Sequence, residues 1–299
     1  MIDNRNKHRA GKPNVVGANK RPAVPPHAVL SSGKTQQMAQ GPLLKVLTSN
    51  RIGSRRQLAS AIKQGKIIVN GTAVENFSLS VNLKKDTVVM DGKRIQPETS
   101  RRIILMFNKP AGVVTTTSDE MGRTTVIELL PREYQGLGLY PIGRLDKEST
   151  GLLLITNDGD ITYRLTHPKF EHEKEYLVAI NGRLQGGDLD KIRKGVLLED
   201  GVTGPAIITE VRGKLPFNYR MIIHEGRKRQ IRRTFESIGQ RVIALKRVRV
   251  GQIELGTLPE GTVRELTRDE IEKLGVKTAR RPVPGREQQP IRKTSSRNE

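Results

Sequence analysis

The chain has 299 residues, a formal net charge of +22 and no cysteine. That length allows two domains, and the missing thiols exclude disulfides, thiolate zinc sites and cysteine nucleophiles. The charge suits a polyanion, nucleic acid before an anionic membrane face; no apolar run approaches the ~20 residues of a membrane-crossing helix.

No secretory-signal core opens the chain, so a soluble cytoplasmic protein is expected. Residues 1–42 are rich in Pro, Gly, Asn, Gln and Lys/Arg and carry a net +6. Residues 276–299 carry a net +5. Neither shows helical or strand periodicity, so both are expected to be disordered basic tails, either electrostatic tethers for nucleic acid or solubilising extensions. With five Phe, five Tyr and no Trp, binding by rows of stacked aromatics is not expected. His167 and His172 lack the partner pattern of a metal site, and no metal is expected.

From residue 43 to 98 the pattern is a small α/β unit. Leu43, Leu44 and Leu47 have helical spacing. Ser54 with Gln57 forms a capping box for a second helix whose apolar face is Leu58, Ala61 and Ile62 and which Gly65 ends. Ile67–Val69, the turn Asn70-Gly71, and Thr72–Val74 read as a hairpin. Val88–Met90 and the turn Asp91-Gly92 follow. Ser54-Arg55-Arg56 together with Gly65-Lys66-Ile67-Ile68-Val69-Asn70-Gly71 resembles the S4 RNA-binding domain. The resemblance implies a basic helix face on which Arg55, Arg56, Lys63 and Lys66 meet phosphates.

Residues 103–275 form the larger domain. Ile103–Phe107 is an apolar strand expected to end at Asn108-Lys109-Pro110. Thr125 with Glu128 predicts a short capped helix through Leu130, closed by Pro131. Leu152–Ile155, bounded by glycine and Asn-Asp-Gly, reads as a buried strand. Asp146 lies on the loop that feeds it, between Arg144 and Lys147, on rigid support yet reachable from outside. His172–Val178 turns from polar to apolar, as at the entry of a strand. Ile231, Phe235 and Ile238 place a helix from Gln230, stopped by Gly239. Thr267 with Glu270 caps a last helix, ended by Gly275. Turns outnumber long crossover helices, so the fold class is α+β with a mostly antiparallel, mixed sheet flanked by helices.

The helix at Gln230 poses an electrostatic problem. Its N-terminus is already partly positive, and Arg227, Lys228, Arg229, Arg232 and Arg233 crowd the same end. An anion would relieve it; the candidates are RNA phosphates and a carboxylate such as Asp146.

Asn108-Lys109-Pro110-Ala111-Gly112, Gly143-Arg144-Leu145-Asp146, Lys174-Glu175-Tyr176, Gly226–Arg233 and Arg247–Gly251, in that order behind an S4-like unit, resemble the RsuA-type pseudouridine synthases of ribosomal RNA. The match covers about residues 43–275. The resemblance implies Asp146 as the catalytic aspartate and Arg232 as its basic partner. It implies Tyr176 packing on the target base, Ile231 beneath it, and Arg144 holding the space the flipped nucleotide leaves; Arg229 joins the substrate-binding set. Ser149, Lys228 and Thr234 depart from the Thr, Asn and Met common in the family. Such an enzyme breaks the N-glycosidic bond of uridine, turns the uracil and rejoins it through C5. Nothing is oxidised and no group is imported, so neither a metal nor another cofactor is expected. Asp146 can attack covalently or remove a sugar proton to form a glycal, and the residues leave both open. The resemblance further implies a monomer acting on ribosomal RNA. Gly195–Gly201 and the basic C-terminal tail favour 23S over 16S. A non-catalytic ribosome-assembly factor and a synthase of another RNA such as tRNA are the alternatives.

Overall fold

The computed structural model describes residues 39–50, 52–96 and 102–275. Most of both expected basic tails lies outside the described residues. Residues 40–42, assigned to the first tail by composition, form a strand instead: β1 (Gln40–Pro42) pairs antiparallel with β4 (Ser80–Asn82).

The small unit follows its sequence pattern closely. Helix α1 (Leu43–Ser49) buries Leu43, Leu44, Val46 and Leu47. Helix α2 (Arg55–Lys63) starts with the full Ser54/Gln57 capping box and buries Leu58, Ala61 and Ile62. Strands β2 (Ile67–Val69), β3 (Thr72–Ala73), β5 (Val88–Met90) and β6 (Lys93–Ile95) form a sheet in the order β3-β2-β5-β6. Asn70 and Gly71 both take positive φ, 49° and 86°, as a two-residue hairpin turn requires. The apolar faces of both helices and the sheet close one core.

The large domain is built on a mixed sheet. Its strands are β7 (Ile104–Lys109), β8 (Tyr140–Ile142), β9 (Thr150–Thr156), β10 (Lys174–Ile180), β13 (Ile207–Glu210), β14 (Tyr219–Ile223), β15 (Val242–Val250), β16 (Ile253–Glu254) and β17 (Val263–Glu265). The main order is β13-β14-β10-β15-β9-β7-β17, with β8 beside β9 and β16 beside β15. Pairing is antiparallel except between β9 and β15. A short hairpin, β11 (Leu197–Leu198) with β12 (Gly201–Val202), stands apart. The helices are α3 (Gly159–Thr166), α4 (Gly186–Lys194), α5 (Gln230–Glu236) and α6 (Arg268–Lys273).

Alternating side chains explain the unbroken apolar runs. Leu105, Phe107, Leu153 and Ile155 join one core. Ile104, Met106, Leu152 and Leu154 join a second one. The central strands are thus covered on both faces, which hydrophobic positions throughout require.

Two local expectations need correction. Strand β7 does not stop at Phe107 but runs on through Lys109, because Asn108 and Lys109 still pair with Leu152 and Gly151. The helix expected at Thr125–Leu130 is a series of turns. Both Thr125/Glu128 cap bonds form. The amide of Val126, however, bonds to Val114 in an isolated bridge, and Pro131 leaves too few residues for a helical ladder.

Candidate active site

Asp146 projects from the loop between β8 and β9. Its predecessor Leu145 is buried in the core, so the next side chain is turned towards the surface. Donors behind the loop hold it nearly residue by residue. Thr115 Oγ1 donates to the Leu145 carbonyl at 2.7 Å, and the Ser149 amide donates to the Asp146 carbonyl at 3.0 Å. Lys109, fully buried, donates to the carbonyls of Pro110, Lys147 and Ser149 at 2.8, 3.2 and 2.9 Å. Arg247, also buried, donates to the Leu152 carbonyl at 2.8 Å and the Arg144 carbonyl at 3.4 Å.

These two buried cations were not singled out by sequence reasoning. Their motifs, Asn108-Lys109-Pro110 and Arg247–Gly251, are visible in the sequence, but nothing local marks either cation as buried. The Lys109 ammonium meets three carbonyls, and Arg247 Nε and Nη1 meet one each, which is what makes burial tolerable. Burial pushes the Lys109 ammonium down to about 8, against the opposing pull of Glu148, Asp146 and Glu260. Gly151 is required beside this brace. A Cβ there would lie 2.2 Å from the Arg247 carbonyl oxygen, and its φ is +100°. Only glycine lets β9 close on β15 at that point.

Opposite the loop stands the start of α5. Arg229 precedes the helix in a left-handed conformation, φ 51°. Ile231 and Phe235 anchor the helix in the core. That places Arg232, 7% exposed, with its Nε 3.9 Å from Asp146 Oδ2. The contact is an ion pair too long for a hydrogen bond. Arg232 Nη1 donates to the Val242 carbonyl at 3.1 Å. Its Nε and Nη2 are buried with no hydrogen-bond partner among the described residues. Burial and, next, the charge of Arg229 hold this guanidinium below its ordinary value, while Asp146 acts in the opposite sense.

The other cations of this segment have separate partners. Arg233 makes a bidentate pair with Asp200 at 2.9 and 3.0 Å. Arg227 Nε donates to Glu225 at 3.0 Å, and its other nitrogens donate to the carbonyls of Asp200, Gly201 and Val202. Carboxylates of the protein itself therefore answer part of the crowding at this helix end, and the β11–β12 hairpin is clamped as a result. Lys228 and Arg229 stay exposed, with Arg229 3.8 Å from Glu148.

Asp146, Arg144, Tyr176, Ile231 and Arg229 line one cleft of about 710 Å³. Tyr176 is 7% exposed on β10, paired with Met221 on one side and Arg247 on the other. Arg144 is exposed at the mouth. Arg55, Arg56 and Lys63 are exposed on α2 and Lys66 just beyond it. At ~100° per residue the three helical cations fall within one arc of that helix. Among the described residues, no group of three or more His, Cys, Asp or Glu could hold a metal ion. No described helix is long and apolar enough to cross a membrane.

A family model described as RNA pseudouridylate synthase matches residues 103–237. The ribosomal large subunit pseudouridine synthase B of Bacillus subtilis is 37% identical over 235 residues, which cover 78% of this chain and 94% of that protein. This chain belongs to the RNA pseudouridylate synthase family. The ribosomal large subunit pseudouridine synthase B of Pseudomonas aeruginosa is 38% identical over 247 residues, 81% of this chain and 63% of that longer protein. A crystal structure of a pseudouridylate synthase shares the fold with a TM-score of 0.57 at 32% identity, over 78% of this chain and 99% of the other. The chain is thus an enzyme of the class that isomerises uridine in RNA to pseudouridine, and its α+β fold with a mixed sheet is that of the family.

Proposed function

We propose that the protein isomerises one uridine of large-subunit (23S) ribosomal RNA, with Asp146 as the catalytic carboxylate. The observation that carries this reading is the pairing of two opposites. Asp146 is fixed by a loop whose carbonyls are held from behind, and it faces a buried guanidinium with N–H groups to spare. A nucleophile or a base is what a positioned carboxylate can supply, and a guanidinium beside it holds it in place. The spare N–H groups of Arg232 suit an oxygen that arrives with the substrate. The target base must leave its stack, at a cost of roughly a few kcal/mol. Tyr176 and Ile231 offer it an apolar seat, and Arg144 stands where the vacated space must be held open.

Asp146 acts either by bonding to the sugar C1′ as the uracil departs or by taking the C2′ proton so that a glycal forms. In both, the uracil rotates in the cleft and rejoins through C5. Electrons balance without a redox partner, so the reaction needs no cofactor. Arg229 and the α2 cations Arg55, Arg56, Lys63 and Lys66 hold RNA phosphates, in keeping with an S4-type role for the small unit. The relatives, ribosomal large subunit pseudouridine synthases, favour the large subunit over 16S. The protein acts as a soluble monomer.

The test is a pseudouridine map of ribosomal RNA from cells with and without the gene. One 23S position should be lost, restored by the intact protein and not by Asp146→Asn. Loss of a position in tRNA alone would overturn the ribosomal reading, and no loss in any RNA would favour a binding-only assembly factor.

A further inference from the structure

All five Phe and five Tyr lie among the described residues, and only Tyr163 and Phe170 are exposed, at 47% and 40%. They sit together. The Tyr163 ring centroid is 4.8 Å from His167 and 5.9 Å from Phe170, the latter edge to face at 88°. Phe170 lies 6.2 Å from His172. Lys169 Nζ stands 5.0 Å from the Tyr163 centroid and 4.8 Å from that of Phe170. The chain builds this corner at some cost. Tyr163 and His167 are one turn apart at the end of α3, and His167 Nδ1 accepts the Lys169 amide at 3.2 Å. Glu171 then takes a left-handed φ of 48°, a conformation a glutamate rarely adopts.

The corner forms one lip of the Asp146 cleft, where His167, Pro168, Glu171 and His172 belong to the lining. Rings that only closed the end of α3 would be expected to bury themselves in the apolar core, as Phe107, Phe235 and Tyr219 do. These keep large parts of their surfaces in water, beside a lysine, next to the residues that line the cleft though not part of that lining.

We propose that Tyr163 and Phe170, with Lys169, form a stacking platform for a nucleobase adjacent to the target uridine. The inference rests on the uridine-isomerase reading of the cleft. When the target uridine leaves its helix, its neighbours lose a stacking partner. Exposed rings at the lip replace that partner with little regard for base identity, because every base has a π face. Lys169 places a cation where the phosphate following that base is drawn in. The scarcity of aromatics still excludes a row of stacked bases along the protein; the structure instead concentrates the exposed rings at one point.

The test uses the full-length protein and a transcript of the organism's 23S rRNA containing 5-bromouridine, which crosslinks on irradiation to aromatic rings in contact. Mass spectrometry should find the crosslink at Tyr163 or Phe170. In parallel, the double variant Tyr163→Leu/Phe170→Leu should lose about tenfold in kcat/KM, the lower part of what ring–base stacking supplies, with the loss in KM rather than in kcat. The ring exchange Tyr163→Phe/Phe170→Tyr should restore it. Crosslinks confined to other segments, or an unchanged KM in the leucine variant, would overturn the platform. If the leucine variant does not fold, the ring exchange and the crosslink position decide. Failure of the underlying reading looks different: the intact protein would then form no pseudouridine in this RNA. The crosslink, which needs binding and not turnover, would still locate or refute the platform.

Discussion

Arg232 and Arg233 are neighbours on one short helix and live in opposite environments. Arg233 points to the outer side, where both oxygens of Asp200 take its Nη1 and Nη2 at 2.9 and 3.0 Å and only Nε is left without a partner among the described residues. Arg232 lies inside, buried against Asp146 but not itself part of the cleft lining, 3.9 Å from Asp146 Oδ2 and with two nitrogens unpartnered among the described residues. A fold seeking only stability would not leave a cation half-satisfied inside, because unpaired buried donors are costly. The outer cluster holds a hairpin in place. The inner one keeps hydrogen-bonding capacity unused, which the proposed function assigns to the substrate.

The largest effect should come from Asp146→Asn, which keeps side-chain volume and removes the charge. Turnover should fall roughly 10²–10⁴-fold, the range a positioned acid–base group supplies. RNA affinity by filter binding should change little, since the residues proposed to meet phosphates lie elsewhere. Full turnover in this variant would remove Asp146 from the chemistry. Next, Arg232→Ala should cut turnover by roughly 10²–10³-fold, as loss of one preorganised donor does, while thermal stability holds or rises because a poorly satisfied buried charge is gone. Arg233→Ala should do the reverse: a modest fall in Tm with turnover nearly intact. Equal effects of the two alanine substitutions on turnover would erase the distinction between inner and outer cations.

Much of this site was legible in the sequence, and the reasons differ by residue. The loop of Asp146 and the strand after it are local: glycine, charge and a four-residue apolar run state the turn and the buried strand. Helix α5 is local too, through Ile231 and Phe235. Arg232's role was implied by resemblance alone; the helix brings it to Asp146 as an ion pair at 3.9 Å. What a single sequence hid is tertiary. Lys109 reaches carbonyls 38 and 40 residues away, and Arg247 reaches back 95 and 103. No periodicity encodes such pairings, and a lysine in a strand pattern reads as exposed. The outer relief of α5 was equally hidden, because Asp200 lies on a hairpin tip far along the chain. The Thr125 cap shows the converse, a correct local signal that a non-local bridge to Val114 overrides.

Lys109 gives a prediction in pH. Its ammonium needs all three of its N–H groups to serve three carbonyls, and its ionisation is pushed down to about 8. Above that pH the neutral amine has two donors, one carbonyl is released, and the loop behind Asp146 loosens. Turnover should therefore decline on the alkaline side, by up to about tenfold one unit above the ionisation if the protonated form alone is competent. Global stability moves the other way. The unfolded chain ionises near 10.5, so between about 8 and 10.5 it holds the extra proton, and this group's contribution grows as pH rises. A pH–rate profile beside a pH–Tm profile separates the two. Lys109→Arg should flatten the alkaline limb of the first; an unchanged limb would mean that another group titrates there.

The smallest effect should follow Asp200→Asn. Arg233 and then Arg227 lose a counter-charge, but the Arg227 nitrogens still hold the carbonyls of residues 200, 201 and 202, so the hairpin stays attached. Arg233 holds the Asp200 carboxyl below its ordinary value. The stabilisation it confers is present above the unfolded value and is lost as pH falls through the folded one. Exposed pairs of this kind are weak and screened by salt. The Tm difference between the intact protein and the Asp200→Asn variant should therefore be slight at neutral pH, shrink on adding salt, and vanish in acid. A loss of turnover as deep as that of Arg232→Ala, at any salt, would show that the outer cluster reaches the reacting groups after all, through the helix that carries both arginines.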